Sequence, residues 1–565
     1  MIGAVAVGLW AGMTAVLLKL FVHFLQQQLT RLGSDFHWIY FFSPAVGILL
    51  TWLFVKWALG GQLARGTSHV LLAIARKSSV IPSKETYSHF VTSAFTVGLG
   101  GSAGLESPIV QTGSAIGSTF ASLFPVGFRD RTLLLACGAA AGIATAFNAP
   151  IAGVLFALEV LLVDVNISAF VPLLMAGATG ALCSRIILHE GILFSFREIA
   201  AFNYRNIPYY VLLGLLCGLV SVFYIKTLLR GDNAMKRLFP GSITRFFAGS
   251  LLLGALIALF PALFGEGYAS ISSLAFNQPS QIFQQSPFNG WAGQNAWVLG
   301  ALILALSLIK AFAVTLTLTA GGNGGNFAPS LMVGACLGFA YAFLINLTGT
   351  TSLPTSNFCL VAMAGILTGV FHAPLTGVFL IAEITGGYDL IIPLMIVSAL
   401  STAVSKYFGT YSLDEARLKE DKQLFQLNKD THVLAELSIS SCIEKDFVPV
   451  PLHGTMRDMI AAVAKSNRNI FPVVDEQYAL AGIISLENIR DKMFDSTQYD
   501  TTHIESLMQQ PVAVASPDDE MSKVMEQFDK TGVWNIPVLD KGQYIGFISK
   551  SRVLSVYREH LNIHR

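Results

Sequence analysis

The stretch "GGSAGLESPIVQTG", Gly100–Gly113, carries one charged residue, Glu106, among small and apolar neighbours. Its surroundings read as membrane interior, where a carboxylate is costly and marks a functional position by default. The composition supports that reading. Of 565 residues, 53% are hydrophobic and 13% charged, against about 25% charged in soluble domains, so a polytopic membrane protein is expected. The net charge of +1 gives no basis for nucleic-acid binding. The six cysteines make no CxxC pair and no metal-ligand spacing. The run "MIGAVAVGLWAGMTAVLLKLFVHF", Met1–Phe24, lacks a basic leader and a small-residue cleavage site, and reads as a first membrane helix.

Charged residues become frequent after Lys406, beginning with "LDEARLKEDKQ". The expected organisation is a membrane domain over residues 1–412, a linker over 413–436, and two small α/β units over 437–499 and 500–565. Trp38–Leu59 and Tyr209–Leu229 are long enough to span a bilayer core. Pro108–Phe124, Pro150–Leu162 and Phe327–Leu344 are shorter and opened or interrupted by glycine or proline, the pattern of broken helices that line a transport site.

Two internal repeats organise the chain. "FNAPIAGVLFALE", Phe147–Glu159, is echoed later by "FHAPLTGVFLIAE", Phe371–Glu383. Upstream of each lies a second matched pair, "GLESP" ending at Pro108 and "GNFAP" ending at Pro329, at nearly the same offset. The membrane domain is therefore expected to be two related halves. In the tail, Asn469–Ile489 resembles Trp534–Val553, each reading as strand, turn, strand and helix.

"GLESP" and "GNFAP", with "AAGIATAFNAPIAGVLFALE" and "HAPLTGVFLIAEIT", resemble the CLC family of chloride channels and proton-coupled chloride exchangers, over about Val7–Ser412. The tail resembles a tandem CBS-domain pair. The implied fold is an all-α polytopic membrane domain with inverted repeats and broken helices, followed by an α/β CBS pair. The resemblance further implies a homodimer in a lipid bilayer, of the bacterial inner membrane type, with cytoplasmic CBS domains. Chloride is the implied ligand and protons the implied partner, with no metal or organic cofactor required.

The residues agree with this picture. A helix N-terminus carries unpaired N–H groups and partial positive charge, so two of them converging would bind an anion without a basic side chain. Glu106, itself an anion, would compete for that place, and protonation would vacate it. In the family the matching residue is the gate. The candidate anion ligands are Gly104 and Leu105 with Glu106 at one end, and Asn326, Phe327 and Ala328, through backbone N–H, at the other. "RGTSHV", Arg65–Val70, matches the family's "GSGIP" without its proline, so Thr67 or Ser68 would supply a hydroxyl.

Several positions depart from the family or stand outside its motifs. The inner tyrosine falls by alignment on Asp414; Tyr411, earlier in the chain, either substitutes for it or is an interfacial anchor, and if nothing substitutes the inner gate is altered or absent. An acid facing the anion path would repel chloride, so Asp414 is expected to point away. Val160 replaces the internal glutamate of exchangers, which favours an uncoupled pathway and leaves an exchanger with a non-standard proton route as the alternative. Glu159 and Glu383 are expected to cap or hydrogen-bond near an interface, Lys310 to meet a carboxylate or helix C-terminus, and His69 and His372 to bond helix ends. An adenine nucleotide at the CBS pair would use Ser485 and Ser549, although "SLEN" and "SKSR" lack the usual aspartate. A non-conducting sensor is a further reading. No nucleophile–base pair or metal cluster points to an enzyme.

Overall fold

In the computed structural model, nine helices among the described residues are long and apolar enough to cross a membrane, all of them before residue 420. The structure describes every residue except 36–37, 62, 64–65, 76–78, 163–166, 189–200, 410, 421–436, 520 and 564–565. The chain divides into two units, Met1–Leu424 and Phe425–Arg565. The first membrane helix is Ile2–Asp35, and the two long spans read from sequence are Ile39–Ala58 and, within a longer helix, Ile207–Leu238. Of the three segments read as short, one corrects that reading. Phe327–Leu347 is a continuous 21-residue helix, about 30 Å long at 1.5 Å per residue. Glu106–Ser122 has 17 residues. Pro150–Phe156 passes into a π-helical turn, Ala157–Leu161.

The repeats pack as related pairs. Helix Glu106–Ser122 lies on Phe128–Phe147, and Phe327–Leu347 lies on Thr355–Phe371. Gly113 and Gly334 hold matching places in the two repeats. Each sits at a crossing where a Cβ would strike the backbone of the neighbouring helix, at Gly138 and Ala362 respectively. Small residues at such crossings let membrane helices approach closely. Helices Phe128–Phe147 and Thr355–Phe371 both stop on a left-handed residue, Asn148 at φ 53° and His372 at φ 55°. This is the usual way of ending a helix. Each is followed by Ala-Pro, and the proline opens the next helix. His372 also places Nε2 3.3 Å from the Ser405 hydroxyl.

The paired helices cap each other. Proline at N1 lacks an N–H, so the next two amides are the first that need partners. Ile151 and Ala152 donate theirs to the Glu383 carboxylate at 3.0 and 2.8 Å. Leu375 and Thr376 donate theirs to Glu159 at 3.0 and 2.7 Å, and the Thr376 hydroxyl adds a third bond at 2.7 Å. Each acid thus serves the opposite half, as a two-fold relation between the halves requires.

Helix Leu413–Glu420 packs on Ser68–Ala75, so it belongs to the first unit. The linker read over 413–436 therefore begins later, and its remaining residues, 421–436, lie outside the described ones. In the second unit β1 (Ile443–Glu444), β6 (Gln543–Ser549) and β5 (Asn535–Asp540) form one sheet, and β2 (Val450–Pro451), β3 (Ile470–Val474) and β4 (Leu480–Ser485) the other. The hairpins β3–β4 and β5–β6 are antiparallel, and each receives a parallel neighbour, β2 on β3 and Ala515 beside Val538. Pro472 and Pro537 occupy equivalent positions, opposite Ile483 and Phe547.

Glu159→Ala and Glu383→Ala are each expected to cost about 1–2 kcal/mol, the usual loss of a charged N-terminal cap. Thermal unfolding of the purified protein checks this: both variants melt lower, and an unchanged midpoint removes the capping account.

Candidate functional site

Two glycine-containing loops meet inside the first unit. Gly104 N–H donates to Gly325 O at 2.9 Å, and Gly325 N–H returns a bond to Gly104 O at 2.7 Å. Both positions are crowded. A Cβ on Gly325 would stand 2.7 Å from Ser107 Cβ, and one on Gly104 would collide with the Glu106 carboxylate. The exchange brings the N-termini of Glu106–Ser122 and Phe327–Leu347 side by side. Lys310, fully buried, fixes the first loop from behind. Its Nζ donates to Ser102 Oγ at 2.8 Å, Gly265 O at 3.0 Å and Leu263 O at 3.4 Å. The partners are a hydroxyl and the carbonyls at the C-terminal end of a short 3₁₀ turn, Pro261–Leu263; of the two partners expected for Lys310, a carboxylate or a helix C-terminus, it is the helix end that receives the bonds.

Glu106 opens its helix and is 3% exposed. Its carboxylate accepts the Tyr268 hydroxyl at 2.5 Å and the Ala328 N–H at 3.3 Å. Ala328 is the second residue of the partner helix, so the acid occupies one of that helix's unpaired donors. A second acid stands close by, where Glu266 Oε1 accepts the N–H of Leu105 at 3.2 Å. Glu266 and Tyr268 were not singled out from the sequence. Their signal is "FGEGY", Phe264–Tyr268, an acid between glycines just before a short apolar helix.

A narrow cavity is lined by Glu106, Ser107, Asn326 and Phe327, by Gly66 and Thr67, and by Asp414, with Val110, Ile143, Phe156 and Phe371 completing its wall. Phe327 is held among Phe147, Phe156 and Phe371, with ring centroids at 5.4, 6.2 and 5.4 Å. The Thr67 and Ser107 hydroxyls lie 3.3 Å apart. Ser68 instead lines a second, wider cavity together with His69, Lys236, Arg245 and Arg417. Of the two hydroxyls considered, Thr67 therefore faces the narrow cavity.

Asp414 departs from expectation. It is 5% exposed, lines the narrow cavity, and takes the Ser68 backbone N–H and the Thr67 hydroxyl as hydrogen-bond partners. The physical reason is that the N-terminus of helix Ser68–Ala75 needs an acceptor, which offsets the repulsion that argued for an outward side chain. Tyr411 does not line that cavity; Lys419 Nζ sits 4.6 Å over its ring. Val160 lies in the π-helical turn, half-buried. His69 Nδ1 stands 3.4 Å from Glu85, which also meets His89 Nε2 at 3.6 Å.

The sequence profile of the voltage gated chloride channel family matches residues 46–406. The chain belongs to that family. The CBS-domain profile matches residues 504–559. The chain is 29% identical over 393 residues to the ClcB-like protein of Ralstonia nicotianae, named for a chloride channel, with 68% of this chain and 87% of the relative covered. It is 25% identical over 580 residues to chloride channel protein CLC-f of Arabidopsis thaliana, covering 92% and 72%. The fold is similar to that of a slow cyanobacterial Cl⁻/H⁺ antiporter, with TM-score 0.63 at 22% identity over 74% of this chain and 97% of the other.

In this family member, "GLESP" and "GNFAP" are the two sequences joined by the glycine exchange. Gly104, Leu105, Glu106, Asn326, Phe327 and Ala328 come together there, while Tyr411 does not. In the second unit Ser485 donates to Asn488 at 2.8 Å, and Ser549 donates to Glu444 at 2.5 Å. Glu444 also pairs with Arg468 at 2.6 Å. Burial opposes the charge on Arg468, but the bonds to Glu444 and Asp446 hold its guanidinium above its ordinary value. Among the described residues no group of three or more His, Cys, Asp and Glu is placed to hold a metal ion.

Gly325→Ala should cost roughly 1–3 kcal/mol, the usual range for overpacking a filled interior. Gly293→Ala, inside helix Asn289–Gln294 where a Cβ meets nothing within 4 Å, should not lower stability, since alanine favours the helix over glycine. Melting temperatures of the two variants check the contrast, and equal effects would contradict it.

Proposed function

We propose that the chain carries chloride across the bilayer through the narrow cavity, with Glu106 as its gate. The observation that carries this reading is the Ala328 N–H bonded to Glu106 at 3.3 Å. A carboxylate and a halide compete for the same donor. Ionised, Glu106 holds it; protonated, the acid loses most of its pull on the amide, and an anion can take its place. The backbone N–H groups of Phe327 and Ala328, with the Thr67 and Ser107 hydroxyls, offer donors without a fixed positive charge. That suits an ion that must also leave, because binding too tight would stop conduction.

Tyr268 steadies the ionised gate. Its hydroxyl donates to the carboxylate, and charge-assisted bonds of this kind are roughly twice as strong as neutral ones. A second reading, exchange of chloride against protons, is favoured by one observation: a second buried carboxylate, Asp414, lines the same cavity. Val160 weighs toward an uncoupled pathway. The family resemblance supports a homodimer with the second unit on the cytoplasmic side.

The test is a chloride gradient across liposomes holding the purified protein, with chloride and pH followed together. Chloride flux is expected. Uphill proton movement driven by chloride identifies the exchanger, and chloride flux without it identifies the uncoupled pathway. Glu106→Gln should keep chloride flux and abolish any proton coupling. Coupling that persists in Glu106→Gln removes Glu106 as the gate, and the absence of chloride flux in well-folded protein removes the transport reading.

A further inference from the structure

Asp414 repeats, at the N-terminus of Ser68–Ala75, what Glu106 does at that of Phe327–Leu347. Its carboxylate takes the Ser68 N–H and the Thr67 hydroxyl, the donors that the Ser68–Ala75 end would offer an anion. Its second oxygen, Oδ2, is buried without a hydrogen-bond partner, an arrangement that costs a carboxylate far more than it costs a neutral acid. Asp414 and Thr67 line the narrow cavity, whereas Ser68, next to Thr67, and Arg417, on the same helix as Asp414, line the wide one. The contact between Asp414 and the Thr67–Ser68 step therefore lies where residues lining the two cavities adjoin.

Among the described residues, few charges lie around this carboxylate. Arg417 and Glu415 share its helix and act on it with opposite sign. Glu106 lines the same cavity. Helix Thr355–Phe371, against which Leu413–Glu420 packs, carries no charged side chain, and the Tyr224 phenol lies in the field of Arg417. His372, just past the end of that helix, is in the field of Glu415. On Ser68–Ala75 the titratable group is His69, which is turned to Glu85.

We propose that Asp414 is a second carboxylate plug, which closes the cavity when ionised and admits an anion when protonated. This rests on the chloride-transport reading and adds a second proton-linked step to it. One proton passes from water in the wide cavity to Asp414, giving the neutral acid. The Ser68 amide and Thr67 hydroxyl are then released to a halide. Loss of the proton to the same water restores the plug, and no other bond changes. The side of the wide cavity thus has a titratable group although Val160 is not one.

The experiment uses the full chain in phosphatidylethanolamine–phosphatidylglycerol vesicles, with chloride efflux measured at equal pH inside and out. Glu106→Gln removes the titration of the first carboxylate. In that background efflux should rise about tenfold from ~pH 7.5 to ~pH 5, as protonation withdraws the plug. Adding Asp414→Asn should make efflux high at both values. Asp414→Ser, which keeps a hydroxyl able to cap the helix, should do the same. The proposal is overturned if Glu106→Gln shows no pH dependence, if the double variants keep it, or if they are low at both values, as a purely structural cap would give. Should Glu106→Gln carry no chloride at all, the transport reading fails separately. Chloride calorimetry then decides this proposal: Asp414→Asn must bind more tightly than its parent at neutral pH, and equal affinity overturns it.

Discussion

The mutual hydrogen bonds of Gly104 and Gly325 are the constraint on which the site depends. They join two loops from opposite halves of the membrane domain, at a place where a Cβ on Gly325 would press on Ser107. Because each glycine lies just upstream of a helix, the exchange fixes where both helices begin. The positive ends of the two helices then face a common space in a setting of low dielectric, where their partial charges count for more than in water. Lys310 at the back of the loop and the crosswise caps from Glu159 and Glu383 hold the frame that keeps those starts in register.

Within that frame the chemistry is a competition among anions. Glu106 and Asp414 each occupy donors of a helix start or loop. Burial alone favours the neutral acid, while donated N–H and O–H groups favour the charged form. An ion arriving from water changes that balance by offering the donors an alternative. Backbone amides suit the task because they bind a halide moderately and do not move. The ring of Phe147, Phe156, Phe327 and Phe371 keeps the space around them narrow and apolar.

Much of the frame was legible in the sequence, and the reason is repetition. "GLESP" with "GNFAP" and "FNAP" with "FHAP" recur at nearly constant spacing, so each member supports the other. Glu106 stood out because a lone charge among small residues in a membrane segment needs a cause. Side-chain direction was less legible. Asp414 was expected to turn away, on electrostatic grounds that left out the capping need of Ser68–Ala75, a helix that meets it only after folding. Glu266 and Tyr268 lie far from Glu106 in sequence, with no repeat to point to them. Glu159 and Glu383 were read as structural, but not as serving each other's half, because periodicity on one helix says nothing about its partner. The continuous length of Phe327–Leu347 was missed because its opening glycines and proline resemble those of truly short segments.

The central claim is that Glu106 and a halide compete for one place. The most direct measurement is the anomalous diffraction of Glu106→Gln crystals grown in bromide. The account predicts a bromide peak within hydrogen-bonding distance of the Ala328 amide, where the carboxylate oxygen now lies, and no such peak in the unaltered protein at neutral pH. A bromide peak at that amide with Glu106 still bonded to it, or bromide bound only elsewhere in the variant, would contradict the claim.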